Sequence, residues 1–112
     1  MSLTLYGGPR TRASMPRWYL EEKGIPYALK ELDLRGNQHR QPDYLAINPF
    51  GKLPALVDTS LHGPDGRALT LFESGAILLH LAEHHAGEIT SAPQRSLIAQ
   101  WLLFANATLA IA

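Results

Sequence analysis

Hydrophobic and polar positions change period along this chain, and the changes mark out its elements. Leu3-Thr4-Leu5-Tyr6 alternates and is rich in strand formers, which predicts a first strand, broken by Gly7-Gly8-Pro9. Ala13 to Lys23 has helical spacing, with Trp18 and Leu20 facing a core, Pro16 tolerated near the first turn and Gly24 as the stop. Tyr27 to Leu32 reads as a second strand, and the polar stretch Arg35 to Pro42 as a loop. Asp43 to Ile47 is a short helical turn, ended by Asn48-Pro49. Ala55 to Asp58 and Ala68 to Phe72 form a hairpin across the turn cluster His62-Gly63-Pro64-Asp65-Gly66. Ser74 to His84 is a strong helix, apolar at 76, 77, 78, 79, 81 and 82, and Gly87 closes it. Ser91 is an N-cap for a last helix with Pro93 in its first turn.

The order is βαβ, a short helix, then ββα. The first half implies parallel strands joined by a right-handed crossover, and the second an antiparallel hairpin. A mixed four-stranded sheet with helices on both faces follows, an α/β domain of thioredoxin-like arrangement. The expected division is a domain over residues 1–86 and, over residues 91–112, the first helix of an all-α domain. Gln100 to Ala112 is apolar and stops without a cap or a basic last turn. Such a helix should bury its surface against something, so a truncated chain or an absent helical domain is expected.

Composition narrows the chemistry. The chain has 112 residues, enough for one core, and its ten bases and ten acids cancel. That balance argues against a general electrostatic hold on nucleic acid or an anionic membrane. The absence of cysteine removes disulfides, Cys-ligated zinc, dithiol redox chemistry and a cysteine nucleophile. The first residues carry no basic, then apolar, leader, and no apolar run reaches the roughly 18–20 residues of a membrane span. A cytoplasmic location is the expectation.

Two segments carry the chemistry. Asn48-Pro49-Phe50-Gly51-Lys52-Leu53-Pro54 leads into a strand. A proline opening a strand donates no ladder bond; in cis it would let Leu53 offer its N–H and C=O to an extended peptide, and in trans it is an edge-strand proline. Glu73-Ser74 opens the strong helix. Ser74 is a good N-cap, and a helix start also binds a carboxylate, while Glu73 beside it suits an ammonium group. Both charges of an α-amino acid end would be met there. Lys52 and His39 lie in loops, either as solvated side chains or as partners for a second carboxylate. Tyr6, Arg10, Thr11 and Ser14, in or beside the loop after the first strand, are the hydroxyl and cationic side chains that a ligand there would meet. Arginine stabilises a thiolate by charge but cannot act as a base. His80-Leu-Ala-Glu83-His84 matches a zinc pattern, H-x-x-E-H. It has no evident third ligand and fits a packing helix, so no metal is assigned.

These motifs, in this order, resemble the cytosolic glutathione S-transferases. The resemblance rests on Asn48-Pro49-x-Gly51-Lys52-x-Pro54, on Glu73-Ser74-x-Ala76-Ile77, and on Gln38-His39 standing at the separation from Asn48 seen in theta-like members. It covers nearly the whole chain: residues 3–85 are similar to the glutathione-binding domain, and those from 91 to the first helix of the all-helical domain. It implies a cis Leu53-Pro54 bond, and glutathione contacts from His39, Lys52, Leu53, Pro54, Glu73 and Ser74. It also implies conjugation of the glutathione thiolate to small electrophiles in detoxification, with glutathione as co-substrate and no other cofactor. A homodimer is implied as well, and no nucleic-acid or membrane partner. In the family a Tyr, Ser or Cys in or near the first loop stabilises the glutathione thiol; the usual Ser or Cys falls near Arg10 and is absent, which leaves Arg10, then Thr11, then Ser14 and Tyr6 for that role and points to a bacterial theta-, beta- or chi-like class. The alternative is a non-catalytic glutathione-binding or assembly module. A reductase working through its own thiol is excluded, since only a glutathione thiol is available.

Overall fold

The computed structural model describes residues 2–8 and 11–109, with side chains through 106. Arg10, the first-ranked thiolate stabiliser, lies outside the described residues. Strand β1 (Leu3–Gly7) is followed by α1 (Ser14–Lys23), β2 (Ala28–Glu31), a 3-10 turn (Gln38–Arg40) and α2 (Pro42–Leu45). Then come β3 (Ala55–His62), β4 (Ala68–Phe72), α3 (Ser74–His84) and α4 (Ala92–Leu103), the last running on as a π-helical stretch, Phe104–Leu109. The sheet order is β2-β1-β3-β4, with β1 parallel to β2 and antiparallel to β3, and β4 antiparallel to β3. This is the mixed, thioredoxin-like sheet that the element order predicts.

Alternation along β1 divides the two faces. Leu3 and Leu5 are buried in a core with Leu20 of α1, Leu56 of β3, and Ile77 and Leu81 of α3. Tyr6 faces the other way, and its ring packs 5.6 Å from that of the buried Tyr44 of α2. Helices α1 and α3 therefore cover one face and α2 the other. The loop expected over Arg35 to Pro42 contains the 3-10 turn, and α2 starts at Pro42. Strand β3 runs four residues past its expected end at Asp58, with a register shift between Asp58 and His62.

Helix α1 corrects one expectation. Its inner stripe is Pro16 and Leu20, with Tyr19 half-buried, and Trp18 is 65% exposed. At 100° per residue Trp18 stands on the far side from Leu20, so its bulk did not decide its direction. Gly24 ends the helix at φ 65°, where its N–H meets the Glu21 carbonyl and that of Ile25 meets Leu20. Ser91 caps α4 as expected, accepting from the N–H of Gln94 at 3.2 Å. None of the α4 residues is buried, and Leu97, Trp101 and Leu103 stand open.

Asn48, Asp58, Ser74 and His80 are polar and buried. Asp58 of β3 is fully buried. Its Oδ1 accepts from the N–H of Ser60 at 2.9 Å and from the Ser60 hydroxyl at 2.5 Å. Its Oδ2 meets Nε2 of His80 at 2.8 Å and Nε2 of His85 at 2.7 Å. Burial would raise this carboxyl, but the hydrogen bonds from Ser60, His85 and His80 together hold it below its ordinary value of 3.8. A carboxyl lowered on folding contributes stability above its unfolded pKa and loses it as pH falls through the folded value. Asp58→Asn is therefore expected to destabilise the chain at pH 7 by about 2–3 kcal/mol and to flatten the acid limb below about pH 4. Urea titrations across pH check this; parallel acid limbs in the two proteins would refute it.

Candidate functional site

The loop between α2 and β3 is built around Asn48, which is 1% exposed. Its Nδ2 donates to the Lys52 carbonyl at 3.0 Å, and its Oδ1 accepts from the Phe50 N–H at 3.0 Å. The Tyr44 hydroxyl donates to the same Lys52 carbonyl at 2.6 Å. Burial holds that phenol neutral, raised to about 12. Gly51 has φ 64°, and a Cβ there would stand 2.8 Å from the His39 carbonyl. Only glycine suits both the left-handed conformation and that approach. The 3-10 turn carrying His39 thus packs directly on the Gly51-Lys52 backbone. His39 is half-buried, and its Nδ1 is buried without a hydrogen-bond partner.

The Leu53-Pro54 peptide is cis, and Leu53 is half-buried. A Cβ on Gly8 would meet Leu53 Cδ1 at 3.9 Å and Thr11 Cγ2 at 4.0 Å, so the first loop lies against Leu53. Lys52 is exposed beside it.

At the other side of the site, β4 passes into α3 through Glu73, with φ 75° and ψ 121°. A glutamate there is conformationally strained, by an amount of order 1–3 kcal/mol, and such strain concentrates at functional positions. Ser74 corrects the expected cap. It is the first helical residue and is buried; Glu73 holds the N-cap position, and neither caps the helix by its side chain. The sharp turn at Glu73 starts the helix one residue earlier than a Ser74 cap would, at Ser74 itself. The Ser74 hydroxyl instead donates to Asn106 Oδ1 from the π-helical stretch after α4. Asn106 Nδ2 donates to the Leu102 carbonyl at 2.9 Å, and the Arg12 guanidinium reaches the Asn106 carbonyl at 3.4 Å. Arg12 and Asn106 were not singled out in the sequence. No short motif marks Asn106, and Arg12 reads as one of several surface arginines.

The remaining thiol-stabilising choices separate. The Thr11 hydroxyl donates to the Gly8 carbonyl at 2.7 Å and accepts from the Ala13 N–H at 3.2 Å, so its proton is already engaged within the loop. Ser14 is exposed at the start of α1 and lines a cavity with Arg17 and Trp18. Tyr6 stacks on Tyr44 on the α2 face, with Lys30 Nζ 5.7 Å from its ring centre. Among the described residues, the first loop lies against Leu53 at Gly8 and is linked by Arg12 through Asn106 to the start of α3, while Tyr6 packs on Tyr44 and Ser14 lies beside Arg17 and Trp18. An apolar cavity of about 360 Å³, lined by Glu73, Gly75, Ala76, Leu79, Leu102 and Asn106, opens between α3 and α4 beside that group.

The chain belongs to the glutathione S-transferase family: the model of its N-terminal domain matches residues 1–83. Disulfide-bond oxidoreductase YfcG of Escherichia coli (strain K12) is 40% identical over 106 residues, 91% of this chain and 47% of that protein. Glutathione S-transferase 3 of Zea mays is 42% identical over 89 residues, 79% of this chain and 36% of that protein. Among solved structures, glutathione transferase BgramDRAFT_1843 of Burkholderia graminis, with two glutathione molecules per subunit, superposes with a TM-score of 0.77 at 38% identity. That superposition covers 91% of this chain and 42% of the other. The chain thus spans less than half the length of these proteins.

Removing the Asn48 side chain would leave the Phe50 N–H and the loop without their shared partner. Asn48→Ala is expected to lower stability by about 2–3 kcal/mol. Denaturant midpoints check this, and an unchanged midpoint would mean that other contacts hold the loop.

Proposed function

We propose that this chain forms the glutathione site of a glutathione transferase, which conjugates the glutathione thiolate to small electrophiles. The observation that carries the reading is the approach of the first loop to Leu53, with Arg12 linked through Asn106 to the start of α3. Extended glutathione would pair with the N–H and C=O of Leu53, set by Pro54, as an added strand. Its γ-glutamyl carboxylate would sit on the first N–H groups of α3, displacing Asn106 from Ser74, with its ammonium group on Glu73. Lys52 and His39 would receive the glycyl carboxylate.

The thiol would then lie at the first loop. A free thiol titrates near about 8.5, and neighbouring cations lower it. Arg10 is the group proposed to do this, by charge. Thr11 serves as a second donor only by giving up its bond to Gly8, and Ser14 and Tyr6 rank below both. The cavity between α3 and α4 would admit the electrophile. The rest of the reading is a bacterial class, a homodimer, a detoxifying role and a cytoplasmic location; among the described residues no helix is long and apolar enough to cross a membrane.

A second reading is supported by the similarity to YfcG. This chain has no cysteine, so glutathione would supply the thiol: its thiolate attacks a disulfide, expelling one thiolate, and a second glutathione thiolate attacks the mixed disulfide, expelling the other thiolate and leaving glutathione disulfide. Parallel assays with an aromatic halide and with a small disulfide separate the two reactions.

Calorimetric titration with glutathione and with S-methyl-glutathione, at pH 6.5 and pH 8.5, tests the site. Both ligands are expected to bind saturably, the free thiol more tightly and with proton release at the lower pH. Absence of binding by a chain that circular dichroism shows to be folded would overturn the reading. Arg10→Ala is expected to move the pH profile of kcat/KM upward by about one unit. A profile that stays put would remove Arg10 from its role.

A further inference from the structure

The buried cluster at Asp58 lies outside the glutathione reading, and its donor set is specific. It joins a carboxylate of β3 to two imidazoles of α3 and its C-terminal turn, His80 and His85. One ligating atom from each lies within 4.8 Å of the other two. The H-x-x-E-H spacing in the sequence suggests His80 with His84, but the fold selects differently. His84 Nε2 turns to Glu83 Oε1 at 3.6 Å, although its ring centre is 4.8 Å from that of His80. The third group, which no local spacing reveals, comes from the sheet.

We propose that Asp58, His80 and His85 form a binding site for one divalent transition-metal ion of the zinc type. Two imidazoles and a carboxylate suit borderline ions such as Zn2+ and Co2+, and not Ca2+ or Mg2+, which take oxygen donors. The supporting partners are in place. Ser60 holds Oδ1 through its N–H and hydroxyl, which leaves Oδ2 directed at both rings. Core residues Ile77 and Leu81 fix α3 on the sheet immediately beside His80. The His85 side chain is 16% exposed, against 7% for His80, so an ion enters past His85, where a fourth position stays open to water.

In the metal-free state both Nε2 atoms carry protons toward Oδ2, at 2.8 and 2.7 Å. Donors around a tetrahedral zinc ion stand about 3.3 Å apart, given bonds of about 2.0–2.1 Å. The ion therefore replaces the two shared protons while the rings swing outward by roughly half an ångström. Each imidazole then carries its proton on Nδ1, and none of the three side chains is left unpaired. The ion adds stability because it binds the folded form.

The test is a titration of the 112-residue chain, without glutathione, with Co2+ and then Zn2+. Expected is one saturable Co2+ equivalent with the visible absorption of a four- or five-coordinate site, displaced by Zn2+, together with a rise in Tm. His85→Gln, at the most open of the three positions, is expected to weaken binding at least tenfold, and His84→Gln to leave it unchanged. Nitrogen-15 correlation spectra of the wild-type imidazoles add a readout free of mutation: the His80 and His85 rings should change tautomer on Zn2+ addition. No saturable binding, binding that survives His85→Gln, binding lost in His84→Gln, or unaltered His80 and His85 ring spectra would each overturn the proposal.

Discussion

The side chain of Asn48 is the constraint on which the site depends. One buried carboxamide holds the Lys52 carbonyl and the Phe50 N–H, and Tyr44 adds a second bond to that carbonyl. These bonds close a loop that neither a helix nor a strand would hold. The closed loop presses Gly51 against His39 and delivers Leu53 to Gly8 at the mouth of the first loop. Burial makes each bond matter more, because a broken one leaves a polar group with no water to replace it.

Two rigid units then meet across the site. One is the Asn48 loop with the sheet edge that it leads into. The other is α3, pinned by Ile77 and Leu81 in the core and begun by a glutamate in a strained conformation. The strain at Glu73 persists because β4 and α3 are both fixed, so the chain has one way to turn between them. Such fixed donors suit ligand binding, since little ordering remains to be done when a peptide arrives. Asn106 extends this logic. It ties Ser74 to the end of the chain's last helix and so couples the helix start to α4, a helix with no buried residue of its own.

Much of this was legible in the residues. The alternation of Leu3 to Tyr6, the apolar spacing of Ser74 to His84 and the glycine stops fixed element type and order, and these determine the sheet. Asn48-Pro49-Phe50-Gly51-Lys52-Leu53-Pro54 pointed to the loop because asparagine, glycine and proline each answer a backbone requirement there. What stayed hidden depends on contacts between distant positions. Trp18 is large and apolar yet points outward, since helical phase and not size sets direction. Ser74 has the chemistry of a cap, but the turn at Glu73 displaced it by one position. Asp58 reads as a strand-end residue, and only folding brings it to His80 and His85. Asn106 and Arg12 carry no pattern at all and become visible only where the stretch after α4 meets the first loop.

The account stands on one claim: the first loop, the Leu53 backbone, the His39 turn and the start of α3 act as a single site. Backbone amide shifts followed by nuclear magnetic resonance through a glutathione titration test it directly. The account predicts that Gly8, His39, Leu53, Ser74 and Gly75 shift together along one binding curve, with the Asp58, His80 and His85 amides unmoved. Separate curves for these segments, or shifts confined to one of them, would contradict it.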